Sequence, residues 1–174
     1  HWPIRDRQRL TVATNITNLD VHDIARASKV YGVKNYFLIH PHEEQQLFVH
    51  RMLEHWQVGE GARYNPMRKS ALDMVKVAPN LEDALAQWGP TLLIGTTARE
   101  ISGMTRLGFK ELRKKISQEE GRVFLLFGTG FGMTEEVLRS CDHLLEPMRG
   151  GTNHDYRHLS VRSAVSICLD RLLG

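Results

Sequence analysis

The segment "RVFLLFGTGFGMTEEVL", residues 122–138, decides the fold class of this chain. Its first half is an apolar run without alternation, which is typical of a strand buried on both faces of a parallel sheet. Three glycines follow, Gly128, Gly130 and Gly132, and then an acidic helix start. A strand that passes through a glycine turn into a helix is the building unit of an α/β protein. Such glycines let backbone amides approach a ligand, but they do not identify it.

Composition places the chain among ordinary globular proteins. Its 174 residues are 41% hydrophobic and 25% charged, enough to bury a core. The longest apolar runs are too short to cross a bilayer, so no membrane association is expected. Cys141 and Cys168 lie among apolar residues, which favours buried thiols over a disulfide and a reducing, cytoplasmic setting. The net charge of +3 is compatible with an acidic partner such as RNA.

Strand and helix patterns alternate along the whole chain. We predict six strands, at residues 10–16, 35–39, 72–78, 91–96, 122–128 and 143–148. A helix over 21–31 is expected between the first two, with Asp20 as its N-cap and Gly32 as its C-terminal stop. Residues 59–70 read as a basic loop. The pattern predicts an α/β fold in which a mostly parallel six-stranded sheet carries helices on both faces, as one domain over 1–174.

Three of the predicted strands end in small or polar residues. The fourth ends in "GTTAR" (95–99), the fifth in "FGTGFGM" (127–133) and the sixth in "EPMRGG" (146–151). The carboxyl ends of parallel strands are where ligands bind in open sheets, so the three turns are expected to surround one small molecule. The glycine spacing fits neither a phosphate loop nor a dinucleotide site. Tight turns without a ligand remain the alternative.

Four motifs, in this order, resemble the SpoU/TrmH-like branch of the SPOUT superfamily of RNA methyltransferases. The first is "LTVATNITNLDVHDIARASKVYGVKNYFLI" (10–39), and the second is "GTTAR". The third is "LLFGTGFGMTEEVL" (125–138). The fourth joins "EPMRGG" to "HLSVRSAVSICLDRLL" (158–173), so the resemblance covers nearly the whole chain.

This resemblance implies a fold and a set of partners. It implies a C-terminal trefoil knot, S-adenosylmethionine as cofactor, a homodimer with the active site near the subunit interface, and tRNA or rRNA as substrate. S-adenosylmethionine needs backbone donors and apolar walls rather than a phosphate cradle, which suits glycine turns. The positions that would line its pocket are Thr96, Thr97, Gly128, Glu146, Met148, Leu159 and Ser160.

Arg26 matches the catalytic arginine of the resembling family, and Asn18 matches the asparagine of the turn before that helix. The implied reaction is attack of a ribose 2′-hydroxyl on the methyl group of the cofactor. Because the pKa of arginine lies above about 12, Arg26 is expected to orient the RNA and stabilise oxyanion charge rather than accept a proton. Methylation of an RNA base, and a non-catalytic nucleotide- or RNA-binding module, are the alternatives.

Three positions depart from the family pattern. Thr129 replaces a glutamate, Ser160 an asparagine and Glu146 an isoleucine. The histidines lack the spacing of a zinc site, so no metal is expected. A further group of residues could meet RNA phosphates: Arg63, Tyr64, Arg68 and Lys69.

Overall fold

A computed structural model describes residues 1–89, 91–118, 122–151 and 156–174. The strands found there are β1 (Ile4–Arg5), β2 (Thr11–Val12), β3 (Tyr36–Ile39), β4 (Val75–Ala78), β5 (Leu92–Thr96), β6 (Arg106–Leu107), β7 (Val123–Leu126) and β8 (His143–Leu145). The helices are α1 (Asn18–Val30), α2 (Glu43–Gln57), α3 (Glu60–Tyr64), α4 (Pro66–Leu72), α5 (Leu81–Trp88), α6 (Phe109–Ser117), α7 (Glu135–Arg139) and α8 (Val161–Leu173).

The chain divides into two compact units. The first unit contains His1–Trp2 and Ala13–Trp88, and the second contains Pro3–Val12 and Gly89–Gly174. In the first unit β3 and β4 pair in parallel. In the second unit four parallel strands form a sheet in the order β6-β8-β5-β7. The predicted α/β class with a mostly parallel sheet is confirmed, while a single domain over 1–174 stays a prediction.

The sheet of the second unit is organised around β5. This strand pairs with β7 on one side, with Gly95 opposite Leu126, and with β8 on the other, with Thr96 opposite Leu145. Helices α6 and α8 pack against each other over this sheet. The buried core beneath them consists of Ile94, Leu107, Phe109, Leu112, Leu145, Cys168 and Leu172. Both cysteines are buried free thiols, as predicted.

The strand prediction is wrong at two places. Residues 10–16 do not form a strand of the parallel sheet, because only Thr11–Val12 pairs, and it pairs antiparallel to Ile4–Arg5. The short strand Arg106–Leu107 was not predicted, since two residues carry no periodicity. Among the described residues the largest sheet therefore has four strands instead of the predicted six.

Helix α1 begins earlier than predicted. Its N-cap is Thr17, whose hydroxyl accepts a hydrogen bond from the Asp20 amide at 3.1 Å and donates one to the Asp20 carboxylate at 2.6 Å. The hydroxyl satisfies one amide of the first turn, and the Asp20 carboxylate holds that hydroxyl in place, so Asp20 lies inside the helix and Asn18 is its first residue. Gly32 ends the helix region as predicted, with a left-handed φ of +70°.

The predicted loop at residues 59–70 contains two short helices, α3 and α4. Asn65 caps α4 by accepting a hydrogen bond from the Arg68 amide at 2.9 Å, and Pro66 occupies the first helical position. Proline is favoured there because that position needs no amide donor. The prediction failed because each helix is too short to show a period in the sequence.

Gly95 tests the packing of β5. A Cβ at this position would lie 2.9 Å from both Cys141 Sγ and Leu144 Cδ2. We expect Gly95→Ala to lower the free energy of unfolding by about 1–3 kcal/mol, the usual cost of overpacking a core. Urea denaturation measures it. The control is Gly150→Ala, whose Cβ would meet no described heavy atom within 4 Å; equal midpoints for the two variants would contradict this packing.

Candidate functional site

The carboxyl ends of β5, β7 and β8 lie side by side in the second unit. Because the three strands are parallel neighbours, the segments that follow them leave the sheet at the same edge. We call these segments the first turn (97–105), the second turn (127–134) and the third turn (146–151). The predicted cofactor positions Thr97, Gly128, Glu146 and Met148 lie in them, and Thr96 ends β5.

The first turn is fixed to the sheet by side chains that bond to main-chain oxygens. Thr96 Oγ1 donates to the Leu126 carbonyl at 2.7 Å, which joins β5 to β7. The Arg106 guanidinium donates to the carbonyls of Leu145 at 3.0 Å and Arg99 at 2.6 Å. Thr97 Oγ1 accepts the Arg99 amide at 3.1 Å. Thr96 Oγ1 can still accept a hydrogen bond and Thr97 Oγ1 can still donate one, so each hydroxyl keeps one kind of contact for a ligand.

The second turn needs its glycines for its own backbone. A Cβ at Gly128 would lie 2.7 Å from the Met133 amide nitrogen, so any side chain there would displace the turn. Gly130 and Gly132 have φ values of +55° and +88°, the left-handed region that glycine tolerates. The Gly132 amide donates to the Thr129 carbonyl at 2.8 Å and closes the loop. The turn is therefore shaped by its own backbone bonds.

The third turn begins with a residue that caps another element. Glu146 Oε1 accepts the Phe109 amide at 2.6 Å, at the N-terminus of α6. The N-cap of α6 is Gly108, which has no side chain to do this. The charged residue that stands where the family has isoleucine is thus explained by helix capping. Met148 is partly buried against the core, and a Cβ at Gly151 would meet no described heavy atom within 4 Å.

The start of α8 supplies the remaining predicted positions. Ser160 is the N-cap of α8 and accepts the Ser163 amide at 3.2 Å. Asparagine and serine cap helices equally well, so the departure at this position preserves the local structure. Leu159 is 45% exposed. Arg157 donates to the Ala98 carbonyl at 3.5 Å, which ties the segment before α8 to the first turn.

The composition of this edge suits a neutral, partly apolar ligand. Thr96, Thr97 and Glu146 each use a side-chain oxygen within the protein, and the main-chain amides and carbonyls of the turns add further groups for a ligand. Met148 and the half-exposed Leu159 add apolar surface. Main-chain donors and acceptors of this kind suit an adenine ring and an amino-acid group.

The two predicted catalytic residues lie in the first unit, on α1. Both Asn18 and Arg26 are exposed. Eight residues separate them, which corresponds to roughly 12 Å along the helix axis, so the structure does not bring them side by side. Asn18 belongs to the helix, contrary to the expectation that it lies in the preceding turn.

A pair of partly buried aromatic rings lies beside the charged residues of α1. His22, one helical turn before Arg26, meets the edge of Trp56 with ring centroids 5.5 Å apart. The Arg68 guanidinium stacks 4.6 Å above the same indole ring. Burial, together with the positive charges of Arg68 and Arg26, lowers the pKa of His22, although Asp23 opposes this. His22 is therefore uncharged at neutral pH, and the arginines carry the positive charge.

The four residues predicted to meet RNA phosphates, Arg63, Tyr64, Arg68 and Lys69, differ in the structure: two make contacts within the protein and two are exposed. Arg68 is committed to Trp56, and Lys69 Nζ donates to the Gln57 carbonyl at 2.8 Å. Arg63 and Tyr64 stay exposed; the Arg63 side chain is 85% accessible. The residues that sequence reasoning missed are those that hold turns, such as Arg106, because a side chain bonded to distant carbonyls leaves no local pattern.

Comparison with known proteins identifies relatives over the full length of the chain. A sequence profile of SAM-dependent RNA methyltransferases matches residues 1–174. A tRNA (guanine-N(1)-)-methyltransferase of Nitratidesulfovibrio vulgaris is 38% identical over 179 residues, covering 100% of this chain and 40% of that protein. The chain thus spans 40% of the length of the curated relatives that carry this name.

Solved structures share the fold. A probable methylase family protein from Haemophilus influenzae Rd KW20 superposes with a TM-score of 0.64 at 21% identity, covering 91% of this chain and 61% of that one. TrmJ from Z. mobilis ZM4 gives a TM-score of 0.62 at 17% identity, covering 88% and 62%. Within the described ranges, no group of three His, Cys, Asp or Glu residues could hold a metal ion. No described helix is both long and apolar enough to span a membrane.

The cap that Glu146 provides can be measured directly. Glu146→Ala leaves the first turn of α6 without its acceptor, so we expect the free energy of unfolding to fall by about 1 kcal/mol. Glu146→Gln is the matched control, since its amide oxygen can still accept the Phe109 amide and should restore most of the loss. Urea denaturation of the three proteins provides the values. Identical midpoints would show that the carboxylate does not cap α6.

Proposed function

Since the chain belongs to the family of SAM-dependent RNA methyltransferases, we propose that it transfers a methyl group from S-adenosylmethionine to tRNA. Membership in the family confirms the predicted cofactor and the resemblance to SPOUT enzymes. The observation that carries the proposal is the adjacency of the three turns at one edge of the four-stranded sheet.

We place the cofactor against the three turns and the start of α8. When bound there, S-adenosylmethionine supplies an electrophilic methyl group on its sulfonium. The main chain of the turns would bind the adenine and amino-acid ends, and Met148 and Leu159 would exclude water from them. The positions assigned to this role are Thr96, Thr97, Gly128, Glu146, Met148, Leu159 and Ser160.

Arg26 and Asn18 are assigned to the RNA. Arg26 is exposed on a helix face where the neighbouring imidazole is neutral, so its guanidinium is available for a phosphate or a developing oxyanion. Its role is to orient the acceptor, because a guanidinium does not accept protons near neutral pH. Asn18, two turns earlier, would contact a different part of the same nucleotide chain.

Two sites on the RNA are candidates for the methyl acceptor. The motifs on which the family resemblance rests favour a ribose 2′-hydroxyl. The name of the curated relatives, tRNA (guanine-N(1)-)-methyltransferase, favours a guanine base. We rank the ribose first, because the chain spans 40% of the length of those relatives and the activity in their name is that of the longer protein.

Two finer structural features belong to the same proposal. We propose a C-terminal trefoil knot, supported by the strand order, in which β8 lies between β5 and β6 although it follows both in the chain. Because β8 is inserted between β5 and β6, the chain that follows β8 leaves the sheet beside the first turn, which connects β5 to β6. We also propose a homodimer, which rests on the family resemblance.

The substitution Arg26→Ala tests whether Arg26 acts on the RNA that accepts the methyl group. We expect transfer of labelled methyl groups to total tRNA to fall by about 100-fold or more, as for other losses of a group that stabilises oxyanion charge. Binding of S-adenosylhomocysteine, measured by calorimetry, should stay unchanged. Arg51→Ala is the control, since Arg51 is also an exposed arginine on a helix of the first unit.

The product identifies the acceptor. Digestion of the labelled tRNA to nucleosides and mass analysis distinguishes a methylated ribose from a methylated guanine. Equal losses in the Arg26 and Arg51 variants would remove Arg26 from the mechanism. Tight cofactor binding without transfer by the wild-type chain would identify a non-catalytic module instead.

A further inference from the structure

The second unit includes a hairpin in which every second residue from 5 to 9 is an arginine. Strands β1 and β2 pair with Ile4 opposite Val12 and Arg5 opposite Thr11. The segment "RDRQR" places arginines at positions 5, 7 and 9, with Asp6 as its one acid. Asp6 Oδ1 accepts the Leu10 amide at 2.8 Å and closes the loop. Arg7 and Arg9 are exposed at its tip.

This hairpin is attached to the second turn. The Arg5 amide donates to the Gly132 carbonyl at 2.9 Å, and Ile4 forms a β-bridge with Met133. The Thr134 amide donates to the Pro3 carbonyl at 3.3 Å. These contacts join the base of the hairpin to the second turn, and they place Arg5 beside it.

Arg9 occupies a strained backbone position. Among the described residues it alone of the non-glycine residues has a positive φ, +70°. Its amide donates to the Asp6 carbonyl at 3.2 Å, so it occupies the left-handed position of a tight turn. Glycine or asparagine suits that position, and a longer side chain costs stability. The side chain of Arg9 is exposed to solvent from this position.

The second turn, next to the hairpin, contacts a further arginine, Arg99, and carries an exposed aromatic ring, Phe131. The Arg99 guanidinium donates to the Met133 carbonyl, and burial together with the charge of Arg5 lowers its pKa. Glu135, whose carboxylate interacts electrostatically with Arg99 and Arg5, is paired with Arg139 at 2.6 Å. Phe131, at the tip of the second turn, is 61% exposed.

We propose that the hairpin and the second turn form an RNA-contact surface, in which Arg7 and Arg9 bind phosphates and Phe131 stacks on a base. The surface combines what single-stranded nucleic acid requires, a run of cations beside an exposed ring. Three arginines with one internally bonded acid complement phosphate rather than an apolar protein face. The inference rests on the proposed function, because it names the surface that brings RNA to that site.

Substitution at Arg9 gives a readout that a structural role would not produce. In Arg9→Gly the backbone strain and the charge are both removed, so we expect thermal stability to be maintained or raised while affinity for tRNA falls. With Arg7→Ala added, affinity for fluorescently labelled total tRNA should fall by at least about tenfold, and the slope of log affinity against log salt by about 0.7–0.9 for each lost phosphate contact. Phe131→Ala should weaken binding by about tenfold with the slope unchanged.

Three controls make the test decisive. Arg9→Lys keeps the charge and should restore most of the affinity, and Lys110→Ala removes an exposed cation of α6 in the same unit and should change nothing. Binding of S-adenosylhomocysteine should be equal in all variants. Wild-type affinity for tRNA in the Arg7/Arg9 variant would overturn the inference, as would a changed oligomeric state with unchanged affinity, which would assign the surface to protein. Loss of affinity in a chain that transfers no methyl group would support this surface while the proposed function fails.

Discussion

The parallel pairing of β5 with both β7 and β8 is the constraint on which the candidate site depends. It brings together three segments that lie far apart in the sequence, after residues 96, 126 and 145. Hydrogen bonds across the strands fix their register, so the three turns leave the sheet at the same level. Thr96, which bonds to Leu126, and Arg106, which bonds to Leu145, reinforce the alignment at this edge.

The side chains at this edge hold the turns, and the main chain is available to a ligand. Glu146 caps α6, Thr97 accepts the Arg99 amide, and Gly128 leaves room for Met133. The departures from the family pattern at Glu146 and Ser160 are consistent with this division, since both side chains cap helices in the structure. The proposed RNA contacts are different: they rest on exposed arginine and aromatic side chains.

The elements with a clear period or apolar run could be predicted from the sequence. The strands near residues 36, 75, 92, 123 and 143 follow from their apolar runs, and Gly32 was correctly placed as a helix stop. The start of α1 was missed because Thr17 and Asp20 both cap helices well, and only the structure shows which one does. The hairpin at Ile4–Val12 was missed because its two-residue strands are held by Asp6 and by Gly132, a contact across more than 120 positions. Roles for Arg26, Asn18 and the cofactor positions stay predictions.

Hydrogen–deuterium exchange with and without S-adenosylhomocysteine tests the central claim most directly. If the three turns bind the cofactor through their main chain, amide protection on ligand binding should concentrate in peptides covering 97–105, 127–134 and 146–151, with little change across α2 and α5. Saturating ligand that protects other segments and leaves these amides unchanged would contradict a cofactor site at this edge of the sheet.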